Sequence, residues 1–295
     1  MKNTILILFY FISVDLFSQT EGYIIDIKTN NPVPFANIWV ENENIGTTSN
    51  NEGVFYFKDD QNNKFLIITS IGYEKHRVKV DSSTLKIFLV PVTYMIPEVL
   101  VTPIKRKELK VNTYGKSQIQ RFTAPSTPQI FARFFPFQNE YRNFRYIKAI
   151  RIETLSKTES IINLRFFKVN QDGEPGNDLL NSNLIINVRK GKRSTLITNF
   201  KNTQIQFPID GLFIAVEYII VKENEYEYVY FDKESKKTNK VLGYMPMIGT
   251  IKTETSSNSW VFRNGKWEKD LGKSNDEWTD ETKNHFIAME LTLSN

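Results

Sequence analysis

The sequence contains no cysteine and only two histidines, His76 and His285, among 295 residues. The absence of cysteine excludes disulfide scaffolds, thiolate zinc sites, iron–sulfur clusters and cysteine nucleophiles. Two histidines so far apart in the sequence leave little material for a histidine-based metal site or a Ser-His-Asp triad. We therefore expect no cofactor, and neither cysteine nor histidine indicates a catalytic group in this sequence.

Long apolar runs are also missing. The most apolar stretch follows a short basic start and runs from Ile5 to Val14, where Asp15 interrupts it. It is shorter than the roughly 18 apolar residues needed to cross a membrane, and with the small residue Ser18 behind it the pattern is typical of a secretory signal peptide. We expect residues 1–19 to be removed on export, leaving no transmembrane segment and a protein that is periplasmic, associated with the outer membrane or on the cell surface.

The formal net charge of +5 is unevenly distributed. Residues 104–146 carry 9 Lys and Arg against 2 Asp and Glu, a net charge of +7. A basic segment between two regions of mixed charge favours a solvated connector, followed at Phe131–Phe137 by an aromatic segment that packs on the next domain. Electrostatic docking on an acidic envelope surface is the functional alternative. Export and the lack of a recognition motif argue against nucleic acid as a partner.

Residues 20–103 show short strand-like runs separated by clusters of turn residues. The run Leu85–Val90 alternates apolar and polar residues with a period of two, as a half-buried strand does. Turn chemistry is concentrated at Asn30-Asn31-Pro32 and at Asn50-Asn51-Glu52-Gly53. No stretch has a helical period, so this region predicts an antiparallel β-sandwich.

Four motifs follow one another in this region. They are Gly22–Asp26 with Asn31–Ile38, Gly46–Phe55, Ser70–Glu74 and Ile96–Thr102. In this order they resemble the carboxypeptidase regulatory-like domain, a transthyretin-like Greek-key sandwich. The resemblance implies a scaffold of the bacterial cell envelope, and it implies no reaction.

Residues 147–295 again predict strands without helices. The turn Asp172–Asp178 and the segment Phe207–Glu217 resemble jelly-roll accessory domains of exported bacterial proteins. The predicted protein is therefore all-β. Its domains are the signal peptide 1–19, a carboxypeptidase regulatory-like sandwich 20–103, a basic connector 104–146 and a jelly-roll-like sandwich 147–295.

Aromatic residues are the main candidates for ligand binding. Trp260, Trp267 and Trp278, together with Tyr228 and Tyr230, could line a surface on which sugars stack, because aromatic rings present apolar faces to sugar C–H groups. The alternative is that these rings fill the core of the sandwich. The sequence leaves both interpretations open, and a carbohydrate-binding module is accordingly one alternative function.

Two acidic residues define a second alternative. Glu217 and Glu290 lie in similar segments, Phe-Ile-Ala-Val-Glu and Phe-Ile-Ala-Met-Glu. On adjacent strands they could approach to the separation of about 5–9.5 Å that glycoside hydrolysis uses. Acids on the solvent face of a strand are nevertheless common, so a glycan hydrolase using this pair ranks behind a binding role.

The turn Asp172–Asp178 also supplies a weak calcium candidate, since Asp172, Glu174 and Asp178 offer oxygen ligands near glycines. The same residues make a good hairpin turn, which is the favoured interpretation. The sequence as a whole predicts a non-catalytic exported envelope protein. Its first sandwich would act as a spacer or docking domain and its second would bind an envelope or outer-membrane protein, or a glycan.

Overall fold

The computed structural model describes residues 19–82, 84–92, 107–199, 205–232, 236–252, 258–269 and 285–295. The predicted signal peptide, apart from Gln19, and Trp278 lie outside these residues. Within them the regular structure is almost entirely β-strand, which confirms the expected all-β class. Across the same residues, no helix has the length and apolar character required to cross a membrane.

Seven strands build the N-terminal sandwich. They are β1 Thr20–Asp26, β2 Asn37–Val40, β3 Gly46–Thr48, β4 Val54–Phe57, β5 Phe65–Thr69, β6 His76–Lys79 and β7 Thr84–Leu89. One sheet has the order β4-β1-β7 and the other β3-β2-β5-β6, with β1 parallel to β7. Leu85, Ile87 and Leu89 are buried between the sheets and their neighbours on β7 are exposed, as the period of two predicts.

Seventeen described strands follow in the second half. They are β8 Glu108–Val111, β9 Ile119–Thr123, β10 Ile130–Phe135, β11 Tyr146–Ser156, β12 Ser160–Val169, β13 Pro175–Asp178, β14 Ile185–Val188, β15 Gly191–Asn199, β16 Ile205–Gln206, β17 Leu212–Tyr218, β18 Glu225–Asp232, β19 Lys237–Tyr244, β20 Met247–Lys252, β21 Ser259–Arg263, β22 Lys266–Lys269, β23 His285–Ile287 and β24 Met289–Ser294. Short 3₁₀ helices span Lys116–Gln118, Asn139–Asn143 and Lys222–Asn224.

These strands form a second, larger sandwich. The seven-stranded sheet has the order β13-β12-β17-β10-β21-β22, with β14 also on β12. The eight-stranded sheet has the order β23-β20-β11-β24-β8, with β9, β15 and β16 attached. Leu212, Ile214 and Val216 of β17 point into the core between the sheets, so the alternate residues of β17 point to the outer face.

The boundary predicted at residue 147 is wrong, because the described part of residues 104–146 is not a connector. Strands β8, β9 and β10 lie in it and pair with β24, β20 and β17 of the second sandwich. Ile130 and Phe135 of β10 are buried, whereas Lys110, Lys116 and Arg121 are exposed. Lys110 and Arg121 therefore lie on the solvent side of strands of the second sandwich, whereas Arg133 of β10 is buried.

Strands β18 and β19 form a separate two-stranded ribbon. In the described residues they pair with each other and with no other strand. Val229 and Phe231 on this ribbon are 57% and 61% exposed, and Tyr228 is exposed as well. We call β18–β19 the ribbon below.

The two sandwiches pack directly against each other. Asn37 and Trp39 of β2 point away from the N-terminal core, and the Asn37 amide hydrogen-bonds Glu217 on the outer face of the seven-stranded sheet. Trp39 has 0% exposure although it lies outside the N-terminal core cluster. Phe35 packs with Ile219 from the second sandwich. The outer face of the sheet β3-β2-β5-β6 thus covers part of the outer face of the seven-stranded sheet.

Candidate functional site

A buried polar cluster lies where the two domains meet. Glu217 is 3% exposed, and its Oε1 accepts hydrogen bonds from Asn37 Nδ2 at 2.6 Å and from Arg165 Nη1 at 2.8 Å. Its Oε2 accepts from Asn163 Nδ2 at 2.5 Å. With Asp178, these residues form what we call the interdomain polar cluster.

Arg165 carries the positive charge of this cluster. Its Nε and Nη2 donate to the two carboxylate oxygens of Asp178 at 3.0 and 2.6 Å. Burial alone would lower the pKa of Arg165, but the carboxylates of Asp178 and Glu217 outweigh it and raise that pKa above its ordinary value. The Arg165 guanidinium and two asparagine amides therefore compensate the buried Glu217 carboxylate, and the same guanidinium pairs with the partly buried Asp178.

Further hydrogen bonds cross the same interface. The backbone N–H of Ile220 donates to Thr48 Oγ1 at 3.0 Å, and Asn183 Nδ2 donates to the Pro34 carbonyl at 3.3 Å. Together with Asn37, these contacts involve β2, β3 and the chain around them on the N-terminal side. The interface therefore orients the two domains by directional bonds as well as by apolar burial.

The structure argues against the alternative of a glycan hydrolase that uses Glu217 and Glu290 as a catalytic pair. Glu217 lies on β17 of the seven-stranded sheet, and Glu290 lies on β24 of the eight-stranded sheet. Their neighbours Val216 and Met289 point into the shared core. The two carboxylates therefore lie on the two opposite outer faces of the sandwich, one on each sheet. Stacked sheets are about 10 Å apart, which places the carboxyl groups beyond the separations used in glycoside hydrolysis.

Glu290 belongs to a different ionic group. Its two carboxylate oxygens lie 3.8 Å from Lys110 Nζ and 3.7 Å from Arg151 Nη1. The Arg151 guanidinium in turn lies over the ring of Tyr114 at 4.3 Å and donates to the Tyr114 carbonyl at 2.9 Å. The sequence predicted the strand face of each glutamate correctly and their partners incorrectly.

The predicted aromatic site is brought together only in part. Phe262 of β21 lies opposite Trp267 of β22, and Trp260 is two residues before Phe262 on the same strand. Trp260 and Trp267 therefore share one face of the β21–β22 hairpin. Positive φ angles of 51° at Asn264 and 79° at Gly265 give this hairpin the two-residue turn that the sequence predicted.

Both tryptophans pack into an aromatic layer on the outer face of the seven-stranded sheet. The ring of Trp267 meets Phe167 and Phe262 edge-on, with centroids 5.1 and 5.3 Å apart, and Trp260 meets Phe213 at 6.2 Å. Such contacts stabilise a surface layer and leave the tryptophans half-buried. Carbohydrate binding at these residues stays a prediction.

The two predicted tyrosines belong elsewhere. Tyr228 and Tyr230 lie on β18, in the ribbon, and not on the sheet that carries Trp260 and Trp267. Tyr228 is exposed, and its ring packs against Gly243 on the neighbouring strand. A ring carbon of Tyr228 lies 3.3 Å from the position that a Cβ atom would occupy at Gly243. The two described tryptophans and the two tyrosines therefore lie on different sheets, and Trp278 lies outside the described residues.

The weak calcium candidate is a tight turn. Asn170 Oδ1 accepts the backbone N–H groups of Asp172 and Glu174 at 2.9 and 2.8 Å, and Gly173 has a φ of +78°. Asp178 faces Arg165. Among the described residues, no cluster of three acidic or histidine side chains is suited to a metal ion.

A cleft that the sequence did not indicate lies beside this interface. It has a volume of about 240 Å³ and lies between β3 and β4 of the first domain and the base of the ribbon. Tyr56, Asp59 and Gln61 line it on one side, and Glu225 and Tyr244 line it on the other. These residues come from distant parts of the chain, so no local motif could have revealed their proximity.

Comparison with known proteins identifies the first domain. The family described as CarboxypepD_reg-like domain matches residues 20–101. No curated protein matches the chain. A solved structure titled "Structure of infectious bursal disease virus Gx strain" is similar to 94% of this chain, with 7% identity and a TM-score of 0.26, and the match spans 60% of that longer chain. Residues 20–101 therefore form a CarboxypepD_reg-like domain, as the four sequence motifs predicted.

Proposed function

We propose that the protein is an exported, non-catalytic cell-envelope protein that binds another protein of the envelope or outer membrane. The CarboxypepD_reg-like domain acts as a fixed docking or spacer domain, and the second sandwich carries the binding surface. Export rests on the signal-peptide pattern of residues 1–19. The fold class is compatible with many functions, so the binding role has to rest on the surface itself.

The observation that carries this proposal is the exposed ribbon next to a tightly packed domain interface. The interdomain polar cluster holds the second sandwich in a defined position relative to the first. Val229 and Phe231 are exposed at the same time, on a ribbon whose strands pair only with each other in the described residues. Exposed apolar side chains and unpaired strand edges are features of protein-binding surfaces.

The ribbon predicts a specific loss-of-binding experiment. We expect Phe231→Lys to reduce the recovery of the partner from solubilised envelope fractions by about tenfold. Replacing an apolar anchor by a charged side chain removes a dominant contact. Recovery is measured by quantitative mass spectrometry after capture on the immobilised full chain.

The matched control is Ile209→Lys, which changes an equally apolar residue that is 70% exposed outside the ribbon. The proposal requires a protein that the wild type and Ile209→Lys recover equally and Phe231→Lys does not. A set of recovered proteins that is the same for all three chains would contradict it.

A further inference from the structure

We propose that the cleft between β3, β4 and the ribbon binds the guanidinium group of an arginine side chain presented by a protein partner. This inference deepens the proposed function, since it names the chemistry of a partner that contacts the ribbon. It also applies to a different set of residues from Val229 and Phe231. The two ideas can therefore fail separately.

The dimensions of the cleft fit one long side chain. Its volume of about 240 Å³ is below the roughly 300–1,000 Å³ of sites for drug-sized ligands and cofactors. Its walls come from both domains, with Thr47 and Tyr56 on one side and Ile220 and Tyr244 on the other. Since the domain interface is fixed by directional hydrogen bonds, the cleft is preformed.

Two carboxylates lie among the polar groups that line the cleft, beside hydroxyl groups that can accept or donate hydrogen bonds. Asp59 and Glu225 contribute carboxylates. Gln61 contributes little to this surface, since it is 1% exposed and its Nε2 donates to the Asp59 carbonyl at 2.9 Å. A guanidinium supplies five donors in a planar fork, which match carboxylate oxygens.

Two tyrosines add a surface that suits a planar cation. Burial raises the pKa of Tyr244, and together with the nearby Glu225 carboxylate and Tyr56 it brings that pKa to about 12. Burial also raises the pKa of Tyr56, with Glu225 and Glu223 contributing. Both phenols therefore stay neutral at physiological pH and lie near the Glu225 carboxylate. Guanidinium groups stack on such rings more effectively than ammonium groups do.

The alternatives are less well matched to this lining. Lys58 also lines the cleft, but it is exposed, and among the described residues it forms no ion pair with Asp59 or Glu225. A divalent metal ion prefers a larger set of carboxylates, and the described residues contain no cluster of three such ligands. An organic cation that combines charge, donors and a flat face fits better.

The cleft continues onto the exposed face of the ribbon. Glu225, Val229 and Phe231 have the same parity on β18, so they point to one face. Leu242 of β19 lines the cleft and lies opposite Glu227 on the same face. A partner that covers Val229 and Phe231 can therefore place a side chain in the cleft.

The test uses blocked five-residue peptides with the full chain. The peptides are acetyl-Ala-Ala-Arg-Ala-Ala-amide, the same peptide with lysine, and the same peptide with citrulline, a neutral analogue of arginine. We expect the arginine peptide to bind roughly tenfold more tightly than the citrulline peptide, with lysine between them. We expect Glu225→Gln to remove this difference, as measured by two-dimensional NMR titration.

Glu227→Gln is the matched control, because Glu227 lies two residues along the same face and is paired with Lys240 at 2.8 Å. It should keep the preference for arginine. Equal binding of arginine and citrulline peptides, a preference that survives Glu225→Gln, or no binding of the arginine peptide would overturn the proposal. If Phe231→Lys still loses the envelope partner in that case, the proposed function stands without this site.

Discussion

Arg165→Met is expected to lower the free energy of unfolding by about 3–5 kcal/mol, the largest effect of any single charge removal described here. Arg165 is the cation that faces both Asp178 and Glu217. Without it, the buried Glu217 keeps only asparagine amides as donors and lies near the partly buried Asp178 carboxylate with no cation between them. The free energy of unfolding is measured by urea denaturation at neutral pH.

Arg263→Met is the control for this prediction. Arg263 forms an ion pair of 2.8 Å with Glu268 across the β21–β22 hairpin, but its side chain is 46% exposed. Exposed pairs of this kind contribute at most about 1 kcal/mol. If both substitutions had the same small effect, the interdomain polar cluster would not stabilise the fold.

Trp39→Ala is expected to destabilise the protein by about 3–5 kcal/mol, the range for removing a large buried aromatic side chain. Trp39 is fully buried on the outward face of β2, the face from which Asn37 bonds Glu217 of the second domain. The substitution should therefore weaken the contact between the two domains as well as the packing of the N-terminal sandwich. Limited proteolysis should detect it as faster cleavage between the two sandwiches.

Tyr23→Ala is the corresponding control on β1. Tyr23 is an exposed aromatic residue of the same domain and has no described contact with the second sandwich. We expect a change below about 1 kcal/mol and an unchanged cleavage pattern. Destabilisation by Trp39→Ala without faster cleavage between the domains would show that Trp39 stabilises the first sandwich alone.

The sequence predicted those features that depend on neighbouring residues. The period of two in Leu85–Val90 predicted β7, and Asn264-Gly265 predicted the hairpin that carries the two tryptophans. The motifs between Gly22 and Thr102 predicted the CarboxypepD_reg-like domain. Each of these signals is local, because strand periodicity and turn conformation depend on a few consecutive residues.

Features that depend on long-range packing were not predictable in the same way. The residues of Ile130–Phe135 are apolar apart from Arg133, but the surrounding lysines and arginines directed the interpretation of the whole segment towards a connector. The parity of Glu217 gave its strand face, yet not the domain that covers that face. Its hydrogen-bond partner Asn37 is 180 residues away. The cleft combines segments equally remote from one another.

The central claim is that the two sandwiches behave as one folded unit. Hydrogen exchange followed by mass spectrometry in increasing urea tests it most directly, because it reports the stability of each segment separately. We predict that peptides from β2 and from β17 lose protection at the same urea concentration and with the same slope. Loss of protection in β2 at a clearly lower concentration, with β17 still protected, would contradict it.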